Sequence, residues 1–253
     1  MRNRRMPESD YISRLRAAYL DLMRDSLTGR LNEDPPLPSS KVEGYKPDYR
    51  EQGWDWPSKA PSMIGTLRME NVRRECERVI AENVPGDFVE TGVWRGGAAI
   101  MMRAVLAAYE ITDRRVVAAD SFEGFPAQTD ADTNFTVGGI ADFAVSLDAV
   151  KANFARYGLL DEQVIFLKGL FADTLPSAPT QSIAVLRLDG DLYESTRDGL
   201  VLYDKLSAGG TLIADDYFLF EGQRKAIDEF RSARGIADPI IRIDHFGGYW
   251  VKR

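Results

Sequence analysis

The apolar positions of this chain change rhythm twice. Between residues 9 and 26, Tyr11, Ile12, Leu15, Ala18, Tyr19, Leu22 and Met23 share one helical face. The spacing predicts an amphipathic helix, preceded by a start at residues 1–8 that reads as disordered. Residues 29–62 lose this periodicity. Prolines recur at 35, 36, 38, 47, 57 and 61, with Tyr45, Tyr49, Trp54 and Trp56 among them. The stretch is too long for an ordinary connection, so it is either a linker or a functional arm or lid. The aromatics favour an arm, since a solvated linker has little use for two tryptophans.

From residue 70 onward, helical and strand-like runs alternate. Helices are predicted over 70–84, 97–110, 147–157, 195–206 and 223–234. Strands are predicted over 87–90, 116–120, 164–167, 183–188 and 211–214. Ser146 suits the N-cap of the 147–157 helix. The tail, 240–243 and 249–251 around Gly247-Gly248, reads as a hairpin-like pair. Such alternation predicts an α/β fold, a parallel sheet with helices on both faces. Residues 1–65 form an N-terminal helix and a Pro/Trp-rich arm or lid; 66–253 form the α/β domain. Ligands of such sheets bind beyond the carboxyl ends of the strands.

Composition narrows the chemistry available there. The chain has 253 residues with one cysteine, Cys76, and one histidine, His245. No intrachain disulfide and no zinc site of the usual N/S type can be built from these. Any metal needs carboxylates and is a hard ion such as Mg²⁺. A net charge of −7 argues against nucleic acid as the main partner. No apolar run is long enough for a transmembrane helix, and no apolar signal core follows the basic start, so the plain reading is cytoplasmic. Cys76, Met101 and Met102 lie at apolar-periodic positions and read as core. The helix at 223–234 reads as a solvated face.

The strand ends carry the candidate chemistry. The first ends in Glu90-Thr91-Gly92-Val93-Trp94-Arg95-Gly96-Gly97. An acid leading into a glycine loop suits a ligand with an ammonium group, S-adenosylmethionine (SAM) for one; the bland alternative is a tight strand-to-helix turn. The spacing fits neither a P-loop nor the nicotinamide fingerprint. The second strand ends in Asp120, then Ser121-Phe122. Paired with the glycine loop, Asp120 suits the two ribose hydroxyls of a nucleotide cofactor. The next two strand ends present Asp189 and Asp191, then Asp215 and Asp216. Neighbouring strands lie about 4.8 Å apart. Carboxylates converging at that distance repel unless a cation neutralises them. A divalent metal is the economical explanation; surface acids on diverging loops are the alternative.

Taken together, these motifs, with Ala119-Asp120-Ser121-Phe122-Glu123-Gly124-Phe125-Pro126, Arg156-Tyr157-Gly158-Leu159-Leu160-Asp161 and Val185-Leu186-Arg187-Leu188-Asp189-Gly190-Asp191, resemble the macrocin/mycinamicin O-methyltransferase family (TylF–MycF type) over about residues 60–253. The resemblance implies a Rossmann-like class I SAM-dependent methyltransferase sheet. It also implies Mg²⁺-dependent methylation of a hydroxyl on a deoxysugar of a glycosylated natural product. By position, Asp189, Asp215 and Asp216 match the metal-binding aspartates, and Asp189 also matches the general base. Gly169-Leu170-Phe171 matches a stretch near the adenine, with leucine replacing a tryptophan. Related catechol-type enzymes carry a lysine where this chain has Leu192, which favours an aspartate base. Asp191 either orients a water on the metal or faces the acceptor. Tyr49, Trp54, Tyr193, Tyr217 and His245 are further acceptor-side candidates, although His245 is more simply a partly exposed hairpin residue. The family implies a homodimer or larger assembly, with the 29–62 arm closing over its own or a partner's site. Two other readings stay open: a methyltransferase for a phenolic or catechol-like acceptor, and a SAM- or nucleotide-sugar-binding protein without turnover.

Overall fold

A computed structural model describes residues 8–137 and 139–253. Residues 1–7, where a disordered start is expected, lie outside the described residues; residue 8 already begins the first helix. Six helices flank the central strands: α1 (Glu8–Leu27), α3 (Gly65–Ala81), α4 (Gly97–Ala108), α5 (Leu147–Arg156), α7 (Tyr193–Gly199) and α8 (Glu221–Arg234). Two short ones, α2 (Pro47–Gln52) and α6 (Phe171–Thr174), complete the set used below. Ser146 caps α5, its side chain accepting from the Ala149 amide.

The strands β1 (Asp87–Thr91), β2 (Val116–Asp120), β3 (Val164–Lys168), β4 (Ile183–Leu188) and β5 (Leu206–Ala214) form the parallel part of the sheet. Then β7 (Gly248–Val251) pairs antiparallel with β5, and β6 (Ile241–Arg242) closes the edge. The order is β3-β2-β1-β4-β5-β7-β6. This order fits the Rossmann-like sheet that the sequence resemblance implies. The inner strands are largely apolar because both faces are covered, with Glu90 of β1 and Arg187 of β4 as buried charged exceptions. On one face α1, α3, α4 and α5 bury Leu20, Met69, Met101, Met102 and Cys76. On the other, Leu200, Leu202, Ile227 and Trp250 pack on Val89, Leu186 and Leu212. Chain order reverses between β1 and β4, which opens a crevice above their carboxyl ends.

Several boundaries differ from the sequence expectation; the helix predicted over 70–84 is α3, Gly65–Ala81. β5 starts at Leu206, five positions before the predicted 211, running through Gly209-Gly210. These glycines mark a register irregularity rather than a turn: a Cβ on Gly210 would lie 3.0 Å from the Ala184 carbonyl oxygen. The predicted 195–206 helix is α7 followed by a 3₁₀ segment, Leu200–Lys205. It tightens at Gly199, where a Cβ would press on Leu188 at 2.9 Å.

The 29–62 stretch is built, not loose. Arg50 is fully buried and donates to both carboxylate oxygens of Asp55, to Thr28 O and to Asp34 O. Asp34 in turn accepts from Ser58 and from the Lys59 and Ala60 amides. The arm then crosses the start of α4, where Gly97 N donates to Pro61 O at 3.1 Å. A Cβ on Gly97 would sit 2.4 Å from Ser62 Cβ. Gly97→Ala is therefore expected to destabilise the protein by about 1–3 kcal/mol, the usual cost of overpacking. Thermal denaturation checks this; an unchanged midpoint would mean that the arm is not pressed on α4.

Candidate active site

A cavity of about 520 Å³ lies over the carboxyl ends of β1, β2, β4 and β5. One wall is the β1–α4 loop. Glu90 is buried there, and its Oε1 accepts from Arg187 Nη1 at 2.5 Å. Burial pushes the Glu90 carboxyl up to about 7, against the pull of Arg187. The loop glycines make room for the protein itself. A Cβ on Gly92 would overlap the Asp189 carbonyl oxygen at 1.8 Å, and one on Gly96 would crowd Val150 and Phe154. Both have positive φ, which glycine adopts without strain. Asp120 ties this loop to the next: its carboxylate accepts from Val93 N and Phe122 N, both at 2.7 Å. Burial still raises its pKa above the usual range.

The opposite wall holds the acids. Among the described residues, Asp189, Asp215 and Asp216 form a group whose ligand oxygens lie within 4.8 Å of one another. Asp191 is buried beside them in a left-handed conformation. Burial, then the negative charge of Asp189, pushes Asp191 up to about 8. Asp189 and Asp216 are raised well above the carboxylate range by burial and by their acidic neighbours. Two buried arginines enter this cluster. Arg187 lies 2.8 Å from Asp189 Oδ2 and 2.6 Å from Asp215 Oδ1. Arg68, from α3, pairs with Asp215 Oδ2 and lies 3.8 Å from Asp216 Oδ1. Even so, Asp215 Oδ1 is buried with no hydrogen-bond partner. An all-oxygen donor set of three close, desolvated carboxylates, one oxygen of which has an arginine nearby but no hydrogen bond, fits a hard divalent cation.

The macrocin-O-methyltransferase (TylF) family profile matches residues 16–252. The chain belongs to this family. It is a SAM-dependent O-methyltransferase. The demethyldecarbamoylnovobiocin O-methyltransferase of Streptomyces niveus is 49% identical over 246 residues, covering 92% of this chain and 93% of that one. The mycinamicin III 3''-O-methyltransferase of Micromonospora griseorubida is 43% identical, covering 92% and 96%. The solved O-methyltransferase NovP superposes with a TM-score of 0.86 at 48% identity, covering 94% of this chain and 99% of that one.

The TylF-family cavity gathers some of the candidate residues and leaves others outside. Glu90, Gly92, Val93, Gly97, Asp120, Ser121, Gly169, Leu170 and Phe171 line it, as do Asp189, Asp191, Asp215, Asp216 and Trp54. Thr91, Gly96 and Phe122 do not; Phe122 packs on Phe166 in the core. Tyr49 and His245 stand behind Trp54, each with ring centroids 5.3 Å from it. Tyr193 and Tyr217 turn to α8, their hydroxyls donating to Glu229 and Asp228 at 2.6 Å. The sequence reading passed over Arg187, Arg68 and Asp244. Arg187 had a signal, a lone charge inside an apolar strand two residues before Asp189. Arg68 had none, since it sits in an ordinary charged helix.

Proposed function

We propose that this enzyme transfers the methyl group of SAM to a hydroxyl of a deoxysugar on a glycosylated natural product. One observation carries the reading. All three clustered aspartates line the cavity, and Asp189 is the most exposed of them: its side chain is 22% exposed, against 3% for Asp215 and 9% for Asp216. A carboxylate raised in pKa and open to the acceptor is suited to take a hydroxyl proton. Asp189, Asp215 and Asp216 would hold Mg²⁺, which when bound lowers the pKa of a hydroxyl. Arg187 keeps Asp189 and Asp215 in place from behind. The cavity rim adds Trp54, Trp56, Phe125 and Phe143, which suit the apolar body of a glycoside. The names of the relatives, two antibiotic O-methyltransferases, support the same acceptor class. Leu192 is buried with Phe135 and Phe220, so the catechol-type lysine has no counterpart at that position.

On the cofactor side, Glu90 faces the ammonium group of SAM, Asp120 the ribose and Gly169–Phe171 the adenine. Glu90 must be ionised to pair with the ammonium. SAM affinity is therefore expected to rise to a plateau just above pH 7, before the ammonium itself begins to lose its proton. Below that it falls toward about tenfold per pH unit as Glu90 protonates. Calorimetry across pH 5–8 checks this, with Glu90→Gln expected to bind weakly and without that slope. A slope that survives in Glu90→Gln would assign the titration elsewhere.

The composition and the arm suit a cytoplasmic homo-oligomer. In the single chain, Ser39, Lys41, Trp54, Trp56, Pro61 and Met63 of the arm line the chain's own cavity. The deciding experiment offers desmethyl glycosides, their free aglycones and free deoxysugars to the purified enzyme with SAM and Mg²⁺. Mass spectrometry is expected to find a methyl on the sugar of a glycoside, and to lose it in EDTA. Methylation of an aglycone phenol in place of the sugar would overturn the reading; full turnover in EDTA would overturn the metal.

A further inference from the structure

Arg68 is oddly placed for a structural arginine. Its Nη1 lies on Asp215 Oδ2 and 3.8 Å from Asp216 Oδ1, against two of the three acids grouped to hold a cation. Its Nε lies 3.0 Å from Asp244 Oδ2, in the turn between β6 and β7. Yet neither Arg68 Nε nor Asp244 Oδ2 makes a hydrogen bond, although both are buried. The guanidinium is close enough to Asp244 to bond and is turned the wrong way to do so. It is hydrogen-bonded to Asp215 and only ion-paired with Asp244.

Asp244 itself is anchored. Its Oδ1 accepts from Phe246 N at 2.8 Å and Gly247 N at 2.7 Å. The aliphatic stem of Arg68 lies against Gly247, where a Cβ would meet Arg68 Cδ at 3.0 Å. The ring of Phe246 stands 5.3 Å from the guanidinium. Arg68 thus has a second seat, complete with a carboxylate, that lies outside the acid cluster. Arg187 is held differently, by Glu90, Asp189 and Asp215 together.

We infer that Arg68 is a two-position cation, resting on Asp215 and Asp216 when no metal is bound and turning onto Asp244 when a divalent ion takes those oxygens. In this reading, which rests on the metal site proposed above, α3 and the β6–β7 turn set the metal affinity although neither supplies a ligand. A buried cluster of acids without a counter-charge would be costly in the metal-free protein. Arg68 relieves that cost and, by doing so, competes with the ion. Asp244 lowers the cost of giving way, because the displaced charge stays paired and gains the hydrogen bond it lacks.

Competition and simple structural support differ in sign. An occupant present most of the time reduces apparent affinity by the fraction of time the site is free. Arg68→Met is thus expected to bind Mg²⁺ more tightly than the wild type, by about tenfold or more if Arg68 holds the site nine-tenths of the time. Asp244→Asn removes the second seat and is expected to weaken binding in proportion to the fall in the free fraction, about threefold if that fraction falls to a third. Both are measured on the SAM-free protein, by calorimetry with Mg²⁺ and by the loss of the free Mn²⁺ paramagnetic signal, after circular dichroism shows the fold. Folded Arg68→Met that binds equally or less tightly overturns the inference while leaving the metal site standing. Should Arg68→Met not fold, Asp244→Asn with unchanged or tighter binding overturns it alone. Absence of binding in the wild type and in both variants overturns the metal site and the inference together. Binding in Arg68→Met but not in the wild type supports it in its strongest form.

Discussion

Asp189→Asn is expected to lower the rate of methyl transfer by about a thousandfold, the middle of the range for a general base, with SAM still bound. The substitution keeps the shape of the side chain and removes its proton-accepting charge. Asp189 N, which donates to Thr91 O at 2.8 Å, is untouched, so the β1–β4 junction stays closed. Glu90 and Asp120, proposed above to face the cofactor, are untouched as well. Stability should move the other way. The folded-state pKa of Asp189 is raised by burial and by Asp215 and Asp216. A carboxyl raised in this manner favours the fold below its ordinary pKa and loses that contribution as pH rises toward the folded value. At neutral pH the metal-free variant should therefore melt at or above the wild-type temperature, as is common where active-site strain is relieved. Initial rates with a glycoside acceptor and SAM calorimetry test the first claim, and a melting curve in EDTA tests the second. Wild-type turnover in Asp189→Asn would remove Asp189 as the base.

Arg187→Met has the opposite profile: the fold suffers first. Arg187 is 1% exposed and sits between Glu90, Asp189 and Asp215. Methionine replaces its volume but leaves Glu90 and Asp215 buried with that counter-charge gone. Breaking a buried ion pair from one side costs about 3–5 kcal/mol, and here one cation serves several acids. Urea denaturation of the metal-free protein should show the loss as a lower midpoint. It should be largest at high pH, where the acids are ionised, and shrink as Glu90 protonates below about 7. A midpoint unchanged at pH 8 would mean that the cluster carries its own protons and does not need the arginine.

The two arginines show why half of the site escaped a reading by motif. The acids stand at strand ends, and strand ends are legible because the apolar runs before them are. Asp120, Asp189, Asp215 and Asp216 could be placed from alternation alone. Arg187 lies inside such a run, where a charge contradicts the pattern and so points to a buried partner. Arg68 and Asp244 are far apart in sequence and look like ordinary surface charges. Only the packing of α3 over the β6–β7 turn brings them together. The tyrosines fail for a related reason. Tyr193 and Tyr217 are adjacent to site residues in sequence, but each follows a strand end by enough residues to have turned away toward α8.

The glycines and the arm divide along the same line. That Gly92, Gly96 and Gly97 are glycines was visible, as was the strand-to-helix turn they serve. That Gly92 yields to the Asp189 carbonyl and Gly97 to Ser62 is a matter of which segments cross, which depends on contacts between distant parts of the chain. The sequence by itself determined the α/β class, the parallel order of alternation, the strand-end placement of the acids and the family, because these rest on local periodicity and on short motifs. Tertiary structure alone decided that the Pro/Trp-rich stretch is folded around the buried Arg50–Asp55 pair and lines the cavity. It alone decided that two arginines enter the acid cluster and that Asp189 is the most exposed of the three aspartates. The physical reason is that desolvation and charge pairing depend on the whole three-dimensional neighbourhood of a group, and no residue carries that neighbourhood in its own stretch of sequence.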